Sequence, residues 1–194
     1  MLAQWDWNGV FGGLVSFLVV LYVQRSQRIR QSRGTTVSMI AFAALVAYVW
    51  APIGFPNSDW SRAPLGSDVV RLIPFVNFDP ALLQTQWLLV QVGMGAATFL
   101  LATLALYGDA RRAAFAVIGI MAVGLEISQG LSNLFSNVVP PYRVDVHDVL
   151  VRSAGALAAY LLLKLVGAIW RLAVRPSFAK SGVIGFIDGV TRRI

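Results

Sequence analysis

The chain has 194 residues, 57% hydrophobic and 13% charged, with a net charge of +7 and no cysteine. A soluble domain carries nearly twice that share of charge, and the apolar residues here run in blocks of about 20, long enough to cross a bilayer as helices. Without cysteine there are no disulfides, thiolate metal sites or cysteine nucleophiles; a single histidine argues against a protein-held metal, and basic residues placed beside apolar spans speak for topology and anionic lipid contact rather than nucleic acid.

The first predicted span runs from Trp7 to Val23, with Gly9, Gly12 and Gly13 near its start and Trp5 and Trp7 as interfacial anchors. No basic residue precedes it, which argues against a cleaved secretory leader. A loop with Arg25, Arg28, Arg30 and Arg33 leads to a second span, Val37 to Phe55. Residues 56–80 then form a connection whose apolar patch, Leu72 to Phe75, is too short to span and reads as interfacial or re-entrant. Asp68 and Arg71 in this connection read as solvated loop residues, with membership of an outer polar site as the sharper alternative. Asp79 and Pro80 look like the cap and first residue of a third span, Leu82 to Tyr107. In it Gln84, Gln86 and Gln91 read as interhelical hydrogen bonders, and Gly93, Gly95 and Ala97 as points of close helix approach. A tight turn at Gly108 to Arg112 precedes span four, Ala113 to Leu134; a loop with Pro140 and Pro141 precedes span five, Val146 to Trp170, where Gly155 and Ala159 share a face. In the tail, Phe178, Ile184, Ile187 and Val190 recur near helical spacing, as in an amphipathic helix on a membrane surface.

The expected fold class is therefore all-α: a polytopic membrane bundle of about five transmembrane helices over residues 1–176, followed by a basic amphipathic tail at 177–194. Lys and Arg set its orientation. The loop after span one, the turn after span three and the tail hold Arg25, Arg28, Arg30, Arg33, Arg111, Arg112, Arg171, Arg175, Lys180, Arg192 and Arg193. The opposite connections hold only Arg62, Arg71 and Arg143. The richer side is expected in the cytoplasm, which puts the N-terminus outside and the C-terminus inside.

Two polar clusters interrupt this apolar pattern. Glu126 lies about 20 Å from the inner end of span four at 1.5 Å per residue, in the outer third of the membrane. An ionisable group there needs a polar cavity or a partner. Gln129 shares its face. The second cluster opens span five: Arg143, Asp145, His147, Asp148 and Arg152, with Asp145, Asp148 and Arg152 at helical spacings of three and four. One short loop joins the spans, so Glu126, Gln129, Arg143, Asp145, Asp148 and Arg152 are the candidate binding residues of one outward-facing site. Glu126 and Asp148 are the candidates for acid/base catalysis, although the sequence leaves turnover undecided. Beside this stands a structural reading, in which Glu126 pairs with Arg143 or Arg152 only to fix helix packing. His147 alone reads as a loop residue, Asp145 as a helix cap, and Ser128 and Ser132 lack an activating base.

Glu126-Ile127-Ser128-Gln129, followed by Arg143-Val144-Asp145-Val146-His147-Asp148 and then Gly155-Ala156, resembles the VanZ-like family. That family has a glutamate and glutamine on one helix, then an arginine, a spaced pair of aspartates and a glycine on the next. The likeness covers roughly residues 111–163. Arg152 stands where the family usually has an asparagine, and Gln91 to Ala96 where it tends to carry a Phe-Ile-Pro-Leu-Gly-like stretch. The resemblance implies a multi-pass protein of the bacterial inner membrane, tied to the cell envelope and to lowered teicoplanin sensitivity, with no settled reaction and no cofactor. Its expected partners are anionic lipids, a cell-wall precursor or lipoglycopeptide, and a partner membrane protein or second copy. A membrane enzyme acting on an outer-leaflet substrate and a structural accessory subunit are the alternatives.

Overall fold

A computed structural model describes residues 7–29, 31–51, 70–71, 86–135, 144–173 and 182–194. The protein is an all-α membrane bundle in which five helices are long and apolar enough to cross a bilayer. These are α1 (Trp7–Ser26), α2 (Arg33–Trp50), α3 (Gln86–Ala105), a composite fourth span and α6 (Val146–Ala173). The composite span joins α4 (Ala110–Val117), a π-helical segment (Ile118–Gly124) and α5 (Leu125–Phe135). A short α7 (Gly182–Thr191) follows. The departure from helix among the described residues is one two-residue parallel ladder, β1 (Val70–Arg71) with β2 (Val144–Asp145).

Between helices in lipid there is no hydrophobic drive, so close packing and hydrogen bonds must hold the bundle together. Glycine supplies the packing. Gly9 and Gly13 of α1 lie on Ala47 and Ala43 of α2, and Gly12 lies on the Trp50 ring. Gly95 of α3 abuts the Arg152 carbonyl of α6, and Gly155 of α6 abuts the Val92 carbonyl of α3; a Cβ at either would overlap that oxygen. Gly93, equally expected at a contact, faces open space. α3 is thus the central helix, flanked by α2 and α6, with Phe42, Val46, Phe99, Leu106, Met121 and Leu125 in the core. Large apolar side chains such as Leu161, Leu165 and Leu172 point outward, as suits a lipid-facing surface.

Helix ends are closed locally. Ser32 caps α2 in a reciprocal box with Thr35. Asp109 caps α4 through the Arg112 N–H, following a turn with Tyr107 and Gly108 at positive φ. Gln24 of α1 donates to the Ala105 carbonyl at the end of α3, 2.7 Å away, and so satisfies an acceptor the helix itself leaves open.

α7 is docked and not only laid on a surface. Phe186 fits against Gly34 and Tyr107, Val190 is buried, and Arg171 donates to the Thr191 carbonyl at 2.8 Å. Asp188 accepts from Trp170 Nε1 at 3.2 Å and from Arg192 Nε at 2.8 Å. Val183 and Ile184 remain exposed. Phe178, Trp5, Gln84, Asp68, the Leu72 to Phe75 patch and the Asp79-Pro80 cap lie outside the described residues.

Candidate functional site

Glu126, Asp145, Asp148 and Arg152 are hydrogen bonded into one cluster, Gln129 stands one turn beyond Glu126, and Arg143 lies outside the described residues. Arg152 is the hub. It is only 1% exposed, yet its guanidinium reaches four groups. Nε donates to Gln91 Oε1 at 2.7 Å, one Nη donates to Glu126 Oε1 at 2.8 Å and to the Met121 carbonyl at 3.3 Å, and the other donates to Asp148 Oδ2 at 2.9 Å. A buried charge persists only when it is paired and hydrogen bonded, and four helical segments contribute to meeting that demand.

The local backbone explains how. Met121 sits in the π segment, whose hydrogen bonds run from i to i+5 and widen the turn. A carbonyl there is open to a side-chain donor, and Arg152 uses it. The Gly95 and Gly155 contacts bring α3 within reach of α6, so that Gln91 meets both Arg152 and Asp148, the latter at 3.4 Å. Gln91 therefore acts between helices, as its polarity in an apolar helix suggested, but it also belongs to the cluster, which the sequence did not single out.

Of the two roles expected of Asp145, the structure keeps that of a helix cap. It is the residue before α6 and not part of its first turn, so helical spacing does not align it with Asp148 and Arg152. Its carboxylate caps: Oδ1 accepts the His147 N–H at 2.9 Å and meets His147 Nδ1 at 2.6 Å. Its contribution to the cluster comes from the main chain, whose N–H donates to Glu126 Oε2 at 2.8 Å. His147 is buried against Asp145 in this cap. The main chain of Arg71 pairs in register with Asp145, so part of the first long connection lies beside the site.

Both Glu126 oxygens are engaged, one by Arg152 and one by the Asp145 amide. Asp148 is different: Oδ2 takes both of its bonds, and its side chain is 16% exposed. Gln129, 7% exposed, has a buried Oε1 without a hydrogen-bond donor among the described residues. Trp50 at the end of α2 places its indole beside Gly124, two residues before Glu126, and its buried Nε1 likewise lacks a partner. Thr103 Oγ1, also unpartnered, is about 18 Å from Gln91 along α3 at 1.5 Å per residue and belongs to another region. Trp50 could not be found from sequence, because only the α2 packing brings it to this end of the fourth span. Among the described residues no group of acids and histidine is arranged to hold a metal ion.

Comparison of the chain with protein-family models, with curated proteins and with solved structures found no match.

Proposed function

We propose that this is a VanZ-like protein of the bacterial cell envelope, whose outward-facing polar cluster binds the hydroxyl- or amide-rich head of a cell-wall precursor, lipid or lipoglycopeptide. The observation that carries the reading is Gln129 Oε1, buried without a hydrogen-bond donor among the described residues and within one turn of Glu126. A buried acceptor left unsatisfied costs about 1–3 kcal/mol, so such a group calls for a reason. Trp50 Nε1 adds an unpartnered donor and Asp148 a partly open carboxylate. Unpaired acceptors and a donor at this end of the fourth span suit hydroxyls and amides, which both give and accept hydrogen bonds. Glu126 and Arg152 hold the walls in place, and the outside placement rests on the distribution of Lys and Arg. The acid/base alternative has less support, because both Glu126 oxygens are already bonded.

The test is complementation of a host lacking the gene. Wild-type protein should raise the inhibitory concentration of teicoplanin more than that of vancomycin. Gln129→Met and Trp50→Phe, at equal membrane levels, should lose that protection. Variants that protect as well as wild type would make the cluster a packing device and remove the proposed ligand.

A further inference from the structure

A cavity lies toward the opposite end of the bundle and shares no lining residue with the polar cluster. Its volume is about 620 Å³, within the range of small-molecule sites, roughly 300–1,000 Å³. α6 packs along α3 and meets the fourth span mainly at the π segment; beyond that point α4 and α6 touch less closely, and Phe99 of α3 lines the cavity between them. Ile118, where α4 passes into the π segment, and Leu157 of α6 form apolar walls, both exposed where a helical bundle meets lipid. Tyr160, edge-on to Phe99 at 6.2 Å between ring centres, lines the same trough. The mouth carries Arg111, on the turn that starts α4, and Arg193, after α7.

Neither arginine has a carboxylate partner among the described residues. Arg193 lies over the Tyr107 ring, 4.7 Å from its centre, a contact that leaves its N–H donors available. Asp109 also borders the cavity, but its carboxylate is paired with Arg112, which in turn donates to Gln27 at 2.8 Å. Two unpaired guanidiniums therefore crown an apolar trough inside a membrane span. Their planar forks match phosphate oxygens, whereas away from the mouth the lining holds no further cation for a free anion, only the hydroxyl-bearing Ser153 and Tyr160 among apolar residues.

We propose that this groove is a binding site for an anionic phospholipid, with the phosphate held by Arg111 and Arg193 and one acyl chain laid between α4 and α6 over Phe99. The headgroup docks at the end of the molecule where the α1–α2 loop, the α3–α4 turn and α7 gather. Because α7 carries Arg193 to the mouth, the bound lipid clamps α7 to the transmembrane bundle. The site stands independently of any ligand at the polar cluster.

Native mass spectrometry of the full chain, released from detergent with phosphatidylglycerol, phosphatidylcholine or inorganic phosphate, tests it. Phosphatidylglycerol should remain bound at about one equivalent and outcompete phosphatidylcholine at least tenfold. Arg111→Gln with Arg193→Gln should abolish that preference, while Arg25→Gln with Arg33→Gln, of equal charge loss, should keep it. Ala114→Trp, which fills the trough and leaves the arginines, should cut occupancy at least fivefold. Equal retention of both lipids, equal loss in the two arginine pairs, unchanged occupancy in Ala114→Trp, or displacement of the lipid by millimolar phosphate would each overturn the proposal. If the arginine pair fails to fold, the Ala114→Trp result decides alone.

Discussion

At the scale of single residues, Arg152 and Gln129 have opposite characters. Arg152 answers two carboxylates at once, so removing it leaves Glu126 and Asp148 buried beside each other without a cation. Breaking a buried pair from one side costs about 3–5 kcal/mol. Arg152→Ala should therefore lower stability by that amount in a denaturant titration in detergent, whereas Glu126→Gln, which keeps the shape and one of the two acceptor oxygens and buries no unpaired charge, should cost less than half as much. Similar losses in the two variants would mean that Arg152 is not the hub. Gln129 behaves the other way. Exchange for the unbranched Met removes an unsatisfied acceptor and should raise the stability read from the same titration by about 1 kcal/mol, while the proposed teicoplanin protection is lost. A destabilised Gln129→Met would show that the amide has a donor within the fold.

These residues also mark how far sequence carries. Glu126, Asp148 and Arg152 stand out because charge is costly in an apolar span, and that cost does not depend on the fold. Gln91 and Trp50 are ordinary in sequence; their importance arises from which helices touch. Asp145 was open to two readings, a wall residue in helical register with Asp148 or a helix cap, and the cap is the one its carboxylate fulfils.

Among whole elements, the α3–α6 seam decides the site's geometry. The glycines of α3 look alike in sequence, since a small residue reports only that close approach is allowed. The structure separates them. Gly95→Ala drives a methyl into the Arg152 carbonyl and should separate the helices, lowering stability by about 1–3 kcal/mol as overpacking does. Gly93→Ala meets nothing and should stabilise α3 by about 0.5–1 kcal/mol through better helix propensity. Thermal unfolding of both variants in the same detergent checks the pair, and equal effects would contradict the seam. The five spans themselves were legible, because block length and apolarity suffice. Their ends moved by a few residues, and the π segment gave no sequence signal at all.

For the molecule as a whole, the tail is part of the architecture. The Arg192 guanidinium, and then the Trp170 indole, hold the Asp188 carboxyl below its ordinary value of 3.8. A depressed carboxyl contributes stability that is full above the unfolded value and lost as pH falls through the folded one. α7 should thus stay docked at neutral pH and loosen below about pH 4, seen as loss of the Trp170 indole N–H resonance. Asp188→Asn should remove this pH dependence. A resonance that persists unchanged at pH 2.5 in the wild type would rule the link out.

The π segment also makes the polar cluster sensitive to a kind of change that substitutions do not probe. Successive residues of an α-helix are about 100° apart around its axis, so a single extra residue in the turn sets the angular phase of everything after it. Ile118–Gly124 holds that offset, and Glu126 comes two residues later. Loss of one residue at Gly119, which faces open space, leaves a span that still crosses the bilayer with its apolar length almost intact. Where the wide turn persists, this also swings Glu126 and Gln129 by more than a quarter turn, away from Arg152. Insertion and deletion, not side-chain chemistry, are then the simplest way for such a chain to keep its bundle and discard its site.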